Sequence, residues 1–197
     1  MGGATLGSHT SGKGTDALMS ISDLLFEFTD WLRGTSLTEL SLAINDLSLS
    51  LWIQTHFWAI PTIQTVHILS IGALFGSAMM ISLRVLGVTG MSRTMAQTTH
   101  RYIPWIWWAL VLLAISGLLL IIGEPVRELI NPIFWIKMAL IIVAVIATLA
   151  FNGAVKRRAA KWDAGASTGG LRLAAILLLI LWCAVMFGGR WIAYAPV

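Results

Sequence analysis

Cysteine and charge are both scarce in this sequence, and common catalytic motifs are missing from it. The single cysteine, Cys183, lies within an apolar run, which excludes an internal disulfide framework and a CxxC redox or metal motif. No nucleophile is paired with a base, no glycine-rich phosphate loop is present, and no two carboxylates share an apolar run. The residues therefore give no support to hydrolysis or phosphoryl transfer.

Apolar residues dominate what is present. They form 57% of the 197 residues, charged residues form only 11%, and the mean hydropathy is +0.83. A composition this apolar is typical of a polytopic membrane protein and not of a soluble domain. The net charge of +4 does not indicate nucleic-acid binding, because the basic residues are confined to short segments between apolar runs. The lipid bilayer is the expected partner.

Four apolar stretches are long enough to cross a bilayer, at residues 62–84, 102–123, 133–152 and 173–191. They predict an all-α fold, an integral membrane four-helix bundle over residues 59–193. Eight of the 13 Lys and Arg residues lie in the loops that follow the first and third stretches. The positive-inside rule then places both termini outside the cytoplasm.

The first 58 residues are of a different kind. Residues 1–18 are rich in Gly, Ser and Thr and predict a flexible tail. Residues 19–58 carry apolar side chains at helical spacing and predict one or two amphipathic periplasmic or interfacial helices, the second starting at a capping box of Ser36 and Glu39. We expect these helices to offer a docking surface to a periplasmic or membrane partner.

One histidine, His67, falls inside the first apolar stretch. An ionisable side chain in hydrocarbon is costly without a partner, so we expect it to have a functional role. Lys137 lies at equal depth in the third stretch, about five residues from the same membrane face. A neutral imidazole is the commonest haem-iron ligand, and a neutral lysine amine could be a second ligand or a proton carrier. The pair predicts a haem b held between the helices.

Two arginines near the same face, Arg127 and Arg190, could pair with the haem propionates. Plainer roles are open for all four residues. Arg127 and Arg190 could be interfacial anchors, Lys137 could extend to the lipid headgroups, and His67 could form a hydrogen bond between helices. The haem interpretation predicts electron transfer between a periplasmic partner and a quinone or another membrane subunit, and so an oxidoreductase or electron-transfer subunit.

Copper handling is the alternative, because the apolar stretches also contain soft thioether ligands that suit Cu(I). These are Met79, Met80, Met138 and Met186. Their spacing forms no repeated motif, so packing is the competing explanation. A third interpretation is a cofactor-free structural subunit of a larger membrane complex.

The core helices share a pattern of polar residues: a His in the first, Ser-Gly in the second, and a Lys followed by a terminal Asn in the third. The segments are TVHILSIGALFGSAMMISLRVLG, RYIPWIWWALVLLAISGLLL and NPIFWIKMALIIVAVIATLAFNGAVKRR. Over about residues 52 to 190, this layout resembles an uncharacterised bacterial family of four-helix membrane proteins. It also resembles the wider group that contains copper-resistance protein D and the membrane-embedded protoporphyrinogen oxidase. The oxidase branch implies haem b, with His67 and Lys137 as critical residues, and the copper branch implies copper transfer from the periplasm. Asn152 stands where many relatives have a His.

Overall fold

The computed structural model describes residues 21–163 and 169–191, and these residues form eight helices. Their bounds are α1 (Ile21–Arg33), α2 (Ser36–Asn45), α3 (Ser48–Thr55), α4 (Ala59–Leu86), α5 (Met95–Gly123), α6 (Pro125–Leu129), α7 (Pro132–Asp163) and α8 (Gly169–Trp191). The all-α prediction is confirmed for this part of the chain. The predicted tail of residues 1–18 lies outside the described residues.

The four long helices, α4, α5, α7 and α8, are long and apolar enough to cross a membrane. Each packs against two others in the cyclic order α4, α5, α7, α8, so α4 and α7 lie across the bundle from each other. Many large apolar side chains on these helices are exposed, which is the surface that lipid requires. The chain is a four-helix bundle and a multi-pass membrane protein.

The two ends of the bundle differ. We call the end that carries α6, the start of α4 and the end of α5 the cap end, because α1, α2 and α3 pack there. The opposite end carries the α4–α5 loop and the last turns of α7, where Lys156, Arg157 and Arg158 are exposed. We call it the basic end.

Helix α3 is attached to the end of α5 at the cap end. The Ser50 hydroxyl donates a 2.7 Å hydrogen bond to the carbonyl oxygen of Ile122, one of the last carbonyls of α5, which lack partners within their own helix. A Cβ at Gly123 would lie 3.0 Å from the Cγ2 atom of the buried Ile53. The absence of a side chain at Gly123 is therefore what lets α3 approach α5 so closely.

The amphipathic segment contains three helices where one or two were predicted. The second predicted helix ends at Asn45, and α3 begins after Leu47, whose backbone is extended at φ −65° and ψ 140°. The predicted capping box at Ser36 and Glu39 is wrong. Thr35 is the N-cap residue and has no side-chain cap, because its hydroxyl donates to the carbonyl oxygen of Leu32 at 2.6 Å.

Two long helices extend past their predicted spans at the basic end. Helix α5 begins at Met95, where Thr94 and Gln97 form a reciprocal capping box. Helix α7 continues through Asn152 to Asp163, so the basic segment after the third span is helical and not a loop. Hydrophobicity marks where a helix leaves the bilayer, but it carries no information on where the helix ends.

A hydrophobic core fills the half of the bundle nearer the basic end. A hydrogen-bonded pair crosses it, because the indole Nε1 of Trp182 in α8 donates to the Thr148 hydroxyl in α7 at 2.9 Å, and that hydroxyl donates to Ala144 O at 2.6 Å. Both polar groups are satisfied inside the apolar interior. The fully or nearly fully buried members of this core include Leu74, Ile81, Val85, Met95, Ile106, Ala109, Ala144, Phe151, Val155 and Ala175.

Candidate functional site

Two ionisable side chains lie inside the half of the bundle nearer the cap end. Toward that end, the fully buried members of the hydrophobic core stop at Leu74 in α4, at Ala109 in α5 and at Ala144 in α7. Beyond those limits the long helices place His67 and Lys137 in partly buried positions. The two ionisable groups therefore lie between the buried core and the capped end of the bundle.

Three polar residues on three different helices lie equally far, along their helices, beyond the last fully buried residue of the core. His67 precedes Leu74 by seven residues, Ser116 follows Ala109 by seven, and Lys137 precedes Ala144 by seven. Seven residues of α-helix correspond to about 10 Å, so each residue lies about that far above the limit of the core. We call His67, Ser116 and Lys137 the polar layer.

The imidazole of His67 is held in one orientation by a hydrogen bond to the neighbouring helix. Its Nδ1 atom lies 2.9 Å from the Ser116 Oγ atom, and that hydroxyl donates its own proton to Leu112 O at 2.6 Å. A serine hydroxyl has only one proton to donate, so Nδ1 of His67 must carry the proton of the 2.9 Å bond. The neutral ring then has its lone pair on Nε2, the nitrogen available to bind a metal or accept a proton.

Gly117 gives the imidazole its space on the α5 side. A Cβ at this position would lie 3.5 Å from His67 Cε1 and 4.0 Å from Nδ1, which is ordinary van der Waals contact, so Gly117 directly borders the ring. The Ser116–Gly117 pair therefore supplies both the acceptor for Nδ1–H and the room for the ring.

Lys137 faces His67 from the other side of the bundle. It is half-buried and makes no hydrogen bond or ion pair with any described residue. Its positive charge interacts electrostatically with His67 and with Glu128 in α6. The structure thus brings His67 and Lys137 into one electrostatic neighbourhood on facing helices.

Glu128 is a member of this neighbourhood that the sequence did not single out. Burial raises the pKa of its carboxyl above the ordinary value, and the positive charges of Lys137 and Arg127 oppose that shift. Glu128 is nine residues before Lys137, and only the turn between α6 and α7 brings the two together. A carboxyl with a raised pKa near the capped end can hold a proton over a wider pH range than an exposed one.

Of the two arginines predicted to pair with propionates, the structure describes the side chain of Arg127. Arg127 Nη1 forms a 2.6 Å ion pair with Glu124 Oε2, and its side chain is 54% exposed. It lines a cleft of about 410 Å³ at the cap end, together with Asn45 and Gln54. The Arg190 backbone lies in α8, but its side chain lies outside the described residues.

The other histidines of the described region are remote from the polar layer. The His56 ring stacks on Trp52 at a centroid distance of 4.5 Å, and its Nδ1 atom lies 2.7 Å from the Trp52 carbonyl oxygen. His100 is exposed in the second turn of α5, at the basic end. Neither residue is placed to share a ligand with His67.

Within residues 21–163 and 169–191, no three side chains from His, Cys, Asp and Glu are grouped as a metal site. A bare metal ion at the polar layer would depend on Nε2 of His67 and on ligands of other types. A haem supplies four nitrogen ligands itself and needs only one or two from the protein. One oriented imidazole and one facing amine are therefore the candidate ligands that the polar layer offers.

Residues 51–195 match the protein family described as a family of unknown function (DUF6644), and the matched region covers more than half of the chain. The chain belongs to this family. The matched region includes the four long helices and the polar layer, while α1 and α2 precede it. No curated protein and no solved structure matches the chain.

Proposed function

We propose that this member of the DUF6644 family is a membrane haem b protein that passes electrons between a periplasmic partner and a quinone or another membrane subunit. The observation that carries the proposal is the hydrogen bond from His67 Nδ1 to Ser116, which leaves Nε2 as the free nitrogen. Histidines that ligate metals commonly donate their second N–H to a neighbouring acceptor in this way.

Each residue of the polar layer has a role in this proposal. His67 Nε2 would bind the haem iron, and Ser116 would be a positioning residue that fixes the ring and its tautomer. The amine of Lys137 would be a second ligand or, as the alternative, a proton carrier toward Glu128. When bound, the haem iron would supply one-electron chemistry.

The cap end provides the polar groups that propionates would need. Arg127 and Arg190 are the proposed partners of the propionates, as guanidinium groups bind carboxylates in a bidentate manner. Arg127 uses one nitrogen for Glu124, so its other nitrogen atoms are available. We place this end on the periplasmic side of a bacterial inner membrane, because the positive-inside rule puts the basic end in the cytoplasm.

The contact surface for a periplasmic or membrane partner is proposed to be α1. Leu24, Phe26 and Trp31 of this helix are each more than half exposed, although α1 also packs against α2 and α7. Large exposed apolar side chains on an amphipathic helix mark a surface for a protein or for the bilayer interface.

The deciding experiment is a dithionite-reduced minus oxidised visible spectrum of the protein purified in detergent after expression with ample haem supply. We expect a b-type α band at about one haem per chain, identified by pyridine extraction, and loss of that band in His67→Ala. The matched control is His100→Ala, which removes an exposed imidazole at the basic end and should leave the spectrum unchanged. A featureless spectrum from well-folded wild-type protein would overturn the proposal.

The two alternatives predict different results for the same preparation. Copper handling predicts Cu(I) binding by haem-free protein that depends on His67 and on methionines such as Met138. A structural subunit predicts that a stoichiometric partner still co-purifies when His67 and Lys137 are both replaced by alanine, while no cofactor is found in either protein.

A further inference from the structure

A second polar site lies at the basic end, far from the polar layer. Arg93, Gln97, His100 and Arg101 line a cleft of about 410 Å³, which we call the basic cleft. All four side chains are exposed. Within α5, Gln97 lies three residues before His100 and four before Arg101, so these three positions lie on one side of the helix, and Arg93 lies in the loop that leads into it.

The loop that carries Arg93 is fixed from beneath by a buried arginine. Arg84 is only 8% exposed, and its Nη2 and Nε atoms donate to the Arg93 carbonyl oxygen at 2.9 and 3.3 Å. Thr94 holds the neighbouring turn, because its backbone N–H donates to Gln97 Oε1 and its hydroxyl accepts from the Gln97 backbone N–H. With Oε1 occupied, the amide N–H groups of Gln97 are its free polar atoms, and they are hydrogen-bond donors.

The basic cleft has positive charge without a nearby carboxylate in the sequence. No acidic residue occurs between Asp46 and Glu124. Among the described residues, the two ion pairs are Arg33 with Asp30 and Arg127 with Glu124, so neither arginine of the cleft is neutralised by a carboxylate. Guanidinium groups in such a setting favour a phosphate or another oxyanion, which they can bind through two parallel hydrogen bonds.

An apolar surface begins directly beside this polar one. On the same face of α5 as Arg101, successive turns expose large apolar side chains, which are 46% to 68% exposed. They are Trp105, Trp108, Leu112 and Ile115. Their spacing of three and four residues makes one continuous stripe along the helix, and indole rings are favoured at the boundary between headgroups and hydrocarbon. A ligand that fits both surfaces has an anionic head and an apolar chain.

We propose that the basic cleft binds the phosphate of an anionic phospholipid headgroup, whose acyl chain lies along the apolar stripe of α5. The arginines could also bind phosphate alone, but the adjoining stripe offers in addition a surface for the acyl chain of a lipid. A zwitterionic headgroup adds a cation for which the lining of the cleft offers no carboxylate, so a lipid with net negative charge is preferred. This assignment is independent of the haem proposal, since no residue is shared between the two sites.

The test measures binding of single lipid molecules to the full-length protein in an uncharged detergent by native mass spectrometry. Phosphatidylglycerol is titrated against wild type, against Arg93→Gln/Arg101→Gln, and against Lys156→Gln/Arg158→Gln as the matched control. The control removes two exposed positive charges from the same end of the bundle but outside the cleft. Arg93→Gln keeps the backbone carbonyl that Arg84 binds, so the loop should stay folded, and equal unfolding midpoints in lipid-free detergent check this.

We expect the cleft variant to bind phosphatidylglycerol about 10- to 30-fold more weakly than wild type, and the control variant within about twofold of it. Wild type should bind phosphatidylcholine at least about 10-fold more weakly than phosphatidylglycerol. An equal loss in the two variants, or equal affinity for the two lipids, would overturn the proposal. Displacement of the lipid by millimolar inorganic phosphate would assign the cleft to a soluble phosphate and overturn the headgroup assignment.

Discussion

A 2.9 Å hydrogen bond joins His67 Nδ1 in α4 to Ser116 Oγ in α5, and the two residues lie 49 positions apart in the chain. The bond leads to one prediction about ligand strength. Ser116→Ala removes the acceptor of Nδ1–H and frees the ring to rotate and to change tautomer. We expect haem affinity to fall by about 10- to 100-fold, measured by haem titration of the purified apoprotein.

The control for this experiment is Ser70→Ala. Ser70 is also buried and lies one turn from His67, but its hydroxyl donates at 2.7 Å to the carbonyl oxygen of Val66 in its own helix. Its loss should leave haem affinity within about twofold of wild type. Ser116→Thr keeps a hydroxyl at the position and should restore most of the affinity. Similar losses from Ser70→Ala and Ser116→Ala would mean that the serine does not position the ring.

A second prediction concerns the space beside the imidazole. Gly117→Ala places a Cβ 3.5 Å from His67 Cε1, which is normal contact, so we expect the haem spectrum and affinity to change little. Gly117→Val adds methyl groups that the ring must avoid, so the imidazole should move and the α band should shift or disappear. The two variants are compared by reduced minus oxidised spectra at equal protein concentration. Identical spectra would show that the ring is not confined by this glycine.

The sequence predicted the four spans because a run of about 20 apolar residues is a property of composition and needs no knowledge of contacts. It also predicted that His67 and Lys137 share a depth, since helical rise converts residue number into distance. The structure adds that Ser116 lies at that depth. Its bond to His67 could not be predicted, because the rotation of α4 against α5 is decided by packing along the whole length of both helices.

The differences between the predicted and the observed helices also have physical causes. The break between α2 and α3 depends on one extended residue, Leu47, which interrupts an otherwise continuous helical pattern. The extension of α7 to Asp163 carries four basic residues, so hydrophobicity gives no signal there. Glu128 was missed because its burial results from how α6 folds over the bundle. Sequence reasoning therefore assigned His67 and Lys137 a common depth and did not identify the neighbours of these residues.

A third prediction concerns the buried pair of Thr148 and Trp182. Thr148→Val preserves the shape of the side chain but leaves the indole N–H of Trp182 without its acceptor at 2.9 Å. We expect a loss of about 1 kcal/mol in the free energy of unfolding, which is typical of a hydrogen bond between membrane helices. The measurement is reversible unfolding in mixed micelles. In a Trp182→Phe background the same Thr148→Val change should cost almost nothing, and an undiminished cost would mean that the bond contributes little.

The contact between α3 and α5 gives a fourth prediction. Gly123→Ala puts a Cβ 3.0 Å from Ile53 Cγ2, so α3 must move away and the cap loosens. We expect the free energy of unfolding to fall by about 1 to 3 kcal/mol. Gly72→Ala is the matched control, because a Cβ at that position would meet nothing within 4 Å, and alanine there should be neutral or stabilising by up to about 1 kcal/mol. The prediction fails if both variants have the same stability.

The fifth prediction is a pH dependence that originates at Glu128. Burial raises the pKa of this carboxyl in the folded protein, so the folded state binds its proton more tightly than the unfolded state does. Its contribution to stability is therefore fully present below the unfolded pKa and is lost as pH rises through the folded pKa. Glu128→Gln has no such proton. Wild type should thus lose stability relative to Glu128→Gln between about pH 4 and the raised pKa, as measured by thermal unfolding in detergent.

Replacing Lys137 tests whether its charge acts on the Glu128 carboxyl. Its positive charge opposes the upward shift of the Glu128 pKa, so Lys137→Met should raise that pKa further and extend the loss of stability to higher pH. The same Lys137→Met change in a Glu128→Gln/His67→Gln background should leave the pH profile unaltered, because both titratable groups with which Lys137 interacts are gone. Glu39→Gln, at an exposed position in α2, controls for the loss of one carboxylate. A pH profile that Lys137→Met does not move in the presence of Glu128 would show that the two residues do not interact, and the proton path proposed between them would have to be abandoned.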